Sequence, residues 1–356
     1  MSYKRLYLYP AALIYGFIIR ARNAFFNWGL FKQINHKNVF VIGVGNLTTG
    51  GTGKTPMVEY LIRKLSNNYK VVVLSRGYGR KSRGFRLVTP SDTIQNSGDE
   101  PLQIATKFEN IKVVVQEDRN AGIKNIMKKI PDTEIILLDD SFQHRKVKPD
   151  INILLTDYFD LYANDFLLPV GGLREHKHEA KRADVVIVTK CDKFISPITK
   201  RYFKETLNLL EHQRLLTSYI VYEDLKHYEK SIPFNFDKKK YTTAICFSGI
   251  ANNYWFINEM KNIFSDIEIF EFGDHHNYSV KEIKKIVQKF KDNYGNRKVV
   301  VTTEKDLMRL KNKKFESILK EIPLFYLPIK TEFHDSQGDE LIKIIKEKLL
   351  VKVQNS

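Results

Sequence analysis

Residues 39–56 read VFVIGVGNLTTGGTGKTP, and this stretch predicts the fold of the chain around it. The continuous apolar run at 39–44 is typical of a buried parallel strand, and the glycine-rich turn after it ends in Gly-Lys-Thr, where a helix should begin. The standard pattern G-x-x-x-x-G-K-[ST] would place glycine at position 48, where this chain has Thr48. Gly50, Gly51 and Gly53 make up for the missing glycine because they keep the turn rich in glycine, so the stretch predicts a phosphate-binding loop.

This loop is predicted to bind a nucleoside triphosphate. Lys54 can reach the β and γ oxygens, Thr55 can bind Mg²⁺, and the N-terminus of the next helix adds its own partial positive charge. The alternative interpretation is an ordinary glycine-rich turn between a strand and a helix, and the Gly-Lys-Thr ending makes it the less favoured one. The residues predicted to bind the nucleotide are Thr48, Thr49, Gly50, Gly51, Thr52, Gly53, Lys54 and Thr55.

Length, charge and cysteine content narrow the class of protein. A chain of 356 residues is long enough for two domains. The net charge of +17 favours a polyanionic partner, which could be nucleic acid, an anionic membrane or a phosphorylated substrate. The only cysteines, Cys191 and Cys246, are far apart in sequence, which argues against a disulfide framework and for a reducing compartment.

Residues 1–37 differ from the rest of the chain because they hold several basic residues and no Asp or Glu. Their uncharged run, residues 6–19, is shorter than the ~20 residues that a spanning helix needs, and no signal-peptide cleavage site follows it. Aromatic and basic residues around an apolar face indicate a helix that lies in the membrane interface on anionic lipid. The alternative is a core helix packed on the first domain.

Strand-like and helical stretches alternate after this segment, which predicts βαβ units and a parallel sheet with helices on both faces. We therefore expect a P-loop NTPase-like α/β fold with a second, smaller α/β domain. The predicted domains are an N-terminal membrane-associating segment at 1–37, a catalytic domain at 38–215 and a cleft-closing domain at 216–356. The predicted strands are 39–44, 70–75, 112–115, 134–138, 151–155, 184–192, 243–247, 267–271, 298–302 and 323–327.

Polar residues that follow the predicted strands are candidates for the site, because ligands bind at the carboxyl ends of parallel strands. Asp139 follows four aliphatic residues, as a Walker-B acid does, and would lie beside an Mg²⁺ ion held by Thr55. Asp140 comes next to it. Asp99 and Glu100 open a predicted helix, where acidic residues also suit the helix dipole.

Two rival functions fit parts of the sequence. Thr-Lys-x-Asp at 189–192 resembles the guanine-reading Asn-Lys-x-Asp of GTPases, which favours a P-loop GTPase or a metallochaperone-type NTPase. The positive charge favours a nucleic-acid-binding ATPase, but such a protein would need aromatic stacking platforms along a basic groove. The aromatic residues cluster at the apolar N-terminus instead, which favours lipid. A non-catalytic membrane protein would leave the strand-end acids unexplained.

Taken together, the motifs resemble those of the tetraacyldisaccharide 4'-kinase family, the lipid A 4'-kinases, in order and over nearly the whole chain. The departures are Ser141, where glycine is commoner, and Gly172 and His176, where proline is commoner. They affect loop shape rather than chemistry. The matching motifs stand at 45–56, 75–80, 98–101, 139–145, 168–175, 274–276 and 302–306.

The resemblance implies transfer of the γ-phosphate of ATP, with Mg²⁺, to the 4'-hydroxyl of a tetraacylated glucosamine disaccharide 1-phosphate. It implies Lys54 and Asp99 as catalytic residues, Asp99 being the general base, with His275 or His276 orienting it. Thr55, Asp139 and Asp140 are the expected metal ligands. The expected substrate contacts are Arg76, Tyr78, Glu100, Gln143 and Arg174.

The same resemblance implies the partners and the location of the protein. The substrate is a membrane lipid with an anionic phosphate, which agrees with the basic, apolar N-terminal segment. We expect an anionic membrane surface as partner, no nucleic acid, and infer no protein partner. The expected location is the cytoplasmic face of the inner membrane, with peripheral or monotopic attachment through the N-terminal helix.

Overall fold

The computed structural model describes residues 7–229, 240–295 and 297–355. The strands are β1 Phe40–Asn46, β2 Val71–Ser75, β3 Arg86–Val88, β4 Lys112–Val115, β5 Ile135–Asp139, β6 Ile151–Asp157, β7 Val185–Cys191, β8 Arg214–Tyr222, β9 Lys226–His227, β10 Thr243–Ser248, β11 Asp266–Glu271, β12 Lys298–Thr303, β13 Leu324–Leu327 and β14 Ile329–Phe333. The α-helices are α1 Tyr9–Asn27, α2 Lys54–Leu65, α3 Ile94–Ser97, α4 Asp99–Lys107, α5 Arg119–Lys129, α6 Pro197–Leu207, α7 Tyr254–Ile263, α8 Val280–Asp292, α9 Glu304–Leu310, α10 Lys313–Leu319 and α11 Gln337–Gln354.

A nine-stranded sheet forms the larger part of the molecule, in the order β14-β8-β7-β6-β1-β5-β2-β4-β3. The pairs between β4 and β8 in this order are parallel, and the edge strands β3 and β14 are antiparallel to their neighbours. Every residue of β1, β2 and β5 is buried, as expected where helices cover both faces of a sheet. The predicted α/β fold class is confirmed.

A second sheet has the order β11-β10-β12-β13-β9, with parallel pairing except at the edge strand β9. The chain enters it after β8 and leaves it before β14, and both of those strands belong to the first sheet. The second sheet is therefore built from an insertion, and we call residues 223–328 the insert. Residues 230–239 of the insert lie outside the described residues.

The structure corrects the predicted domain boundary between residues 215 and 216, which falls inside β8. After the insert, β14 pairs with β8 and α11 packs back on the first domain. Lys352 Nζ of α11 lies 2.6 Å from Asp150 Oδ2, at the start of β6. Residues 216–222 and 329–355 thus belong to the first domain, because strand pairing and ion pairs join distant parts of the chain.

Helix α1 packs one face on the first domain. Tyr15 Oη donates a hydrogen bond to the Arg174 carbonyl at 2.8 Å, and Arg22 forms an ion pair with the buried Glu175. A Cβ atom at Gly16 would lie 2.8 Å from Leu167 Cδ1, so glycine permits this close approach. The opposite face carries the exposed side chains of Leu13, Ile14, Phe17 and Ile18.

The packed face agrees with the alternative of a helix packed on the first domain, and the exposed apolar face leaves the membrane-interface interpretation a prediction. None of the helices in the described part of the chain has the length and apolar character needed to cross a membrane. Residues 1–6 of the predicted segment lie outside that part.

Candidate active site

The phosphate-binding loop joins β1 to α2, and its backbone requires glycine at two positions. Gly50 and Gly53 have φ angles of +113° and +82°, in the region that side chains other than glycine rarely adopt. Gly53 is the N-cap of α2, so the helix begins at Lys54. The Thr49 amide donates to the Gly172 carbonyl at 2.7 Å, which ties the loop to the 168–175 segment.

Thr189, near the end of β7, holds the backbone of this loop through its hydroxyl group. Its hydroxyl donates to the Thr52 carbonyl at 2.9 Å and lies 3.1 Å from the Thr156 carbonyl, and the side chain is buried. The next residue, Lys190, forms an ion pair with Asp157 at 2.7 Å. The threonine that replaces the guanine-reading asparagine therefore holds the loop backbone, so the GTPase-like motif gives the GTPase interpretation no support.

Lys54 and Asp139 lie at the mouth of the loop. Lys54 Nζ is 3.2 Å from Asn46 Oδ1 and 3.4 Å from Asp140 Oδ1. Asp139 is 5% exposed, and Ser75 Oγ donates to its Oδ2 at 3.2 Å. Burial raises the pKa of Asp139, and the charge of Asp140 adds to that rise.

The other carboxylate oxygen of Asp139, Oδ1, has no hydrogen-bond partner among the residues that the structure describes. A buried carboxylate oxygen without a partner is costly, and a hard cation with oxygen ligands would satisfy it. Asp140 differs from Asp139, because its carboxylate already accepts a hydrogen bond from Arg174 Nη1 at 3.1 Å and forms an ion pair with Lys54. Burial would raise the pKa of Asp140, but these two cations outweigh it and lower the pKa. Asp139 is the better fit to a metal ligand.

Asp99 is the first residue of α4 and follows the N-cap residue Gly98. Gly98 has a φ of +89°, and a Cβ atom there would lie 3.0 Å from the Tyr78 carbonyl, so the 75–80 segment rests against this helix start. Asp99 Oδ2 lies 3.1 Å from His275 Nδ1 and accepts a hydrogen bond from Arg309 Nη2 at 3.1 Å. Lys305 Nζ is 3.9 Å away.

These contacts determine the protonation states of Asp99, Glu100 and His275. Burial alone would raise the pKa of Asp99, but the hydrogen bond with His275 and the charges of Lys305 and Arg309 outweigh it and lower the pKa. The hydrogen bond with Asp99 raises the pKa of His275. Burial, followed by the Asp99 charge, raises the pKa of Glu100 to about 7, and the Asp139 charge also contributes. Glu100 is therefore electrostatically linked both to Asp99 and to Asp139, the carboxylate beside the loop.

The adjacent histidines have different partners. His275 contacts Asp99, and its φ of +56° turns it toward the first domain. His276 Nε2 lies 3.1 Å from Glu282 Oε1, and its ring stacks on Phe272 at a centroid distance of 4.6 Å. The structure therefore pairs His275, and not His276, with Asp99.

Asp99, Glu100 and His275 offer ligand atoms within 4.8 Å of one another, which is close enough for a metal ion. Lys305 Nζ, however, lies 3.1 Å from Glu100 Oε1, and Arg309 reaches Asp99. Because these cations already neutralise the carboxylates, the cluster is better described as an ion-pair network.

The remaining predicted substrate residues follow strands of the first sheet or contact residues at the ends of those strands. Arg76 and Tyr78 follow β2 and are exposed. Gln143 Nε2 donates to the Asn46 carbonyl at 2.8 Å, so it also supports the end of β1. Arg174 contacts Asp140 as described above.

Sequence reasoning missed Arg309, which is 5% exposed. Its guanidinium donates to the Gly249 carbonyl at 2.6 Å and to Asp306 Oδ1 at 2.8 Å, in addition to Asp99. The one available signal was its position, one helical turn after Lys305. Lys305 belongs to the motif at 302–306, for which the sequence predicted no specific role.

A glycine-rich loop with a lysine, a strand-end carboxylate and a second carboxylate held by histidine and arginine define a P-loop phosphotransferase. The family model described as tetraacyldisaccharide-1-P 4'-kinase matches residues 4–349. The chain belongs to the tetraacyldisaccharide 4'-kinase family, the kinases of lipid A biosynthesis.

Individual relatives agree with this assignment. The chain is 43% identical to the tetraacyldisaccharide 4'-kinase of Flavobacterium psychrophilum over 97% of both chains. It is 41% identical to that of Bacteroides thetaiotaomicron, over 94% of this chain and 90% of the relative. A crystal structure of LpxK from Aquifex aeolicus in complex with ATP matches with a TM-score of 0.74 and 29% identity, covering 97% of this chain and 99% of that one.

Proposed function

We propose that the protein transfers the γ-phosphate of ATP to the 4'-hydroxyl of a tetraacylated glucosamine disaccharide 1-phosphate. The observation that carries the proposal is the Asp99 carboxylate, which His275 and Arg309 hold and which is adjacent to Glu100, whose pKa responds to the Asp139 carboxylate beside the phosphate-binding loop. Family membership supports the substrate, and the ATP complex of the Aquifex aeolicus protein supports the nucleotide.

The loop from Thr48 to Thr55 binds the nucleotide phosphates, with Lys54 on the β and γ oxygens. Thr55 and Asp139 would hold Mg²⁺, with Asp140 as a further candidate, since the unpartnered Asp139 oxygen suits an oxygen-seeking cation. When bound, Mg²⁺ supplies neutralisation of the charge on the β and γ oxygens.

Asp99 accepts the proton of the attacking hydroxyl, and His275 holds its carboxylate in place. The lowered pKa keeps Asp99 ionised at neutral pH, although it makes the carboxylate a weak base. A weak base suffices, because phosphoryl transfer passes through a loose transition state in which positioning of the hydroxyl matters most. Arg309 and Lys305 fix the same carboxylate.

Substrate contacts are assigned to the residues around the cleft. Arg76 and Tyr78 are exposed and offer a cation and an aromatic ring to a phosphorylated sugar. Glu100 and Gln143 offer hydrogen bonds to sugar hydroxyls, and Arg174 offers a further cation.

The exposed apolar face of α1 attaches the protein to the membrane that holds its substrate, at the cytoplasmic face of the inner membrane. A groove of about 630 Å³ lies beside this helix, and the basic side chains of Arg22 and Lys146 line it together with Phe26 and Phe31. Apolar and basic groups side by side suit an interface with anionic lipid.

The test is transfer of labelled γ-phosphate from ATP to a tetraacyldisaccharide 1-phosphate in mixed micelles with Mg²⁺. We expect a lipid-dependent product with ATP, and a loss of about 10²- to 10³-fold in kcat for Lys54→Ala. Lys64→Ala is the matched control, because Lys64 lies on the same helix with its side chain 47% exposed. Lipid-independent hydrolysis, a preference for GTP, or full activity of a folded Lys54→Ala would overturn the proposal.

A further inference from the structure

Four polar side chains form a buried cluster behind the site, which we call the interhelix cluster: Glu59, Gln103, Lys107 and Glu304. Lys107 Nζ lies 2.7 Å from Glu59 Oε2 and 2.7 Å from Glu304 Oε2. Gln103 Nε2 donates to Glu59 Oε1 at 2.9 Å and lies 3.4 Å from Glu304 Oε2. The cluster joins three helices, α2, α4 and α9, and therefore crosses from the first domain to the insert.

Each of the three helices carries a cluster residue and a residue of the site. On α4, Asp99, Gln103 and Lys107 are spaced by four residues, so they lie along one face of the helix. On α2, Glu59 follows Thr55 by the same spacing. On α9, Glu304 directly precedes Lys305, and Arg309 follows one turn later.

Stability alone does not account for the cluster. Glu59 and Glu304 are 1% and 7% exposed, and burying charged groups is often no better for stability than well-packed apolar residues would be. Burial, followed by the Glu59 charge, raises the pKa of Glu304 to about 7, so the ionised carboxylate is held there at a cost. What such a network does provide is a fixed geometry, because each donor and acceptor has a defined direction.

We propose that Glu59, Gln103, Lys107 and Glu304 are positioning residues for phosphoryl transfer. They hold the helix that carries Asp99 in register with the helix that begins the phosphate loop, and hold α9 so that Arg309 reaches Asp99. The inference rests on the proposed function, since it concerns the distance between the base and the transferred phosphate. A displacement of about 1 Å at such a distance can lower a rate by about 10²-fold.

The experiment measures kcat and KM in the lipid phosphorylation assay for Glu304→Gln, Lys107→Met and the double variant. We expect kcat to fall by 10- to 100-fold in each single variant. We expect the KM for ATP to change by less than about threefold, since none of these side chains belongs to the phosphate loop. The double variant should lose no more than the worse single variant, because the residues act as one unit.

Lys64→Met is the matched control. Lys64 lies on α2 with its side chain 47% exposed, and its pair with Asp339 of α11, at 3.9 Å, contacts neither α4 nor α9. Its kcat should stay within about twofold of the wild-type value, whatever happens to stability.

If a charge-removing variant fails to fold, Gln103→Met still tests the inference, because this substitution leaves the Lys107 ion pairs in place. It should fold and still lower kcat by at least about fivefold, since α4 loses a directed hydrogen bond to α2. An unchanged kcat in folded cluster variants, or a fall no larger than that of Lys64→Met, would overturn the inference. Failure of the wild type to phosphorylate the lipid would instead overturn the proposed function.

Discussion

Replacement of Arg309 by methionine is the sharpest test of how the insert is joined to the first domain. The guanidinium is 5% exposed and donates to three acceptors: the Gly249 carbonyl, Asp306 and Asp99. Methionine fills a similar volume but removes the cation that the buried carboxylates of Asp306 and Asp99 share in the wild type. Both the stability of the insert and the position of Asp99 should therefore suffer.

The expected loss follows from what each carboxylate keeps. Breaking a buried ion pair by removing one partner costs about 3–5 kcal/mol. Asp306 keeps hydrogen bonds from Thr303 Oγ1 at 2.6 Å and from the Gly249 amide at 3.0 Å, and Asp99 keeps His275. These remaining partners place the loss near the lower end, at about 3 kcal/mol in the free energy of unfolding.

Urea unfolding monitored by Trp255 fluorescence measures this loss in the insert, because Trp255 lies on α7. The chain has one other tryptophan, Trp28, so a Trp28→Phe background leaves a single reporter. Arg201→Met is the control: its pair with Glu205 is exposed, and its removal should cost about 0.5 kcal/mol or less. A shift for Arg309→Met no larger than that of the control would refute this account of Arg309.

Three further outcomes follow from the site. Because the Asp99 hydrogen bond raises the pKa of His275, the contribution of their contact to stability is fully present below the ordinary histidine value of 6.5 and is lost as the pH rises through the folded pKa; an NMR titration should give a midpoint above 6.5 that Asp99→Asn lowers, and a wild-type midpoint at or below 6.5 would contradict the contact. Thr189→Val removes the hydrogen bond to the Thr52 carbonyl, so the KM for ATP should rise about fivefold, which corresponds to about 1 kcal/mol, without a gain in GTP use; a switch toward GTP would revive the GTPase interpretation. Asp139→Asn should raise the Mg²⁺ concentration for half-maximal transfer at least about tenfold, and an unchanged Mg²⁺ titration would exclude Asp139 as a ligand.

The sequence predicted the central strands well because they are continuous apolar runs, and the structure confirms them within one or two residues. It missed β8 and β14, which pair with each other at the edge of the first sheet. β8 lies in a Lys-rich region without the regular alternation of strands and helices, and β14 follows β13 after a single residue, Pro328. These two strands form one edge of the sheet because they pair with each other across the whole insert. Local sequence patterns do not encode such long-range pairing.

The strand–loop–helix at 40–65 and the position of Asp139 at the end of β5 could be predicted because they lie in short contiguous motifs. The choice between His275 and His276 could not, because it depends on one backbone conformation, the positive φ at His275. Arg309 was missed for another reason. It is one of 58 basic residues in the chain, and spacing alone does not separate a buried arginine from an exposed one.

The two domains divide the catalytic group between them in an uneven way. The first domain supplies the phosphate loop, the strand-end carboxylates and Asp99, whereas His275, Lys305 and Arg309, which contact Asp99, all come from the insert. Without the insert, Asp99 would lack the partners that lower its pKa and fix its direction. Since both ends of the insert are anchored in adjacent strands of the first sheet, β8 and β14, its docking is fixed at two points. The proposed base, Asp99, therefore has these partners only when the insert is docked, which would couple the assembly of the fold to the proposed chemistry.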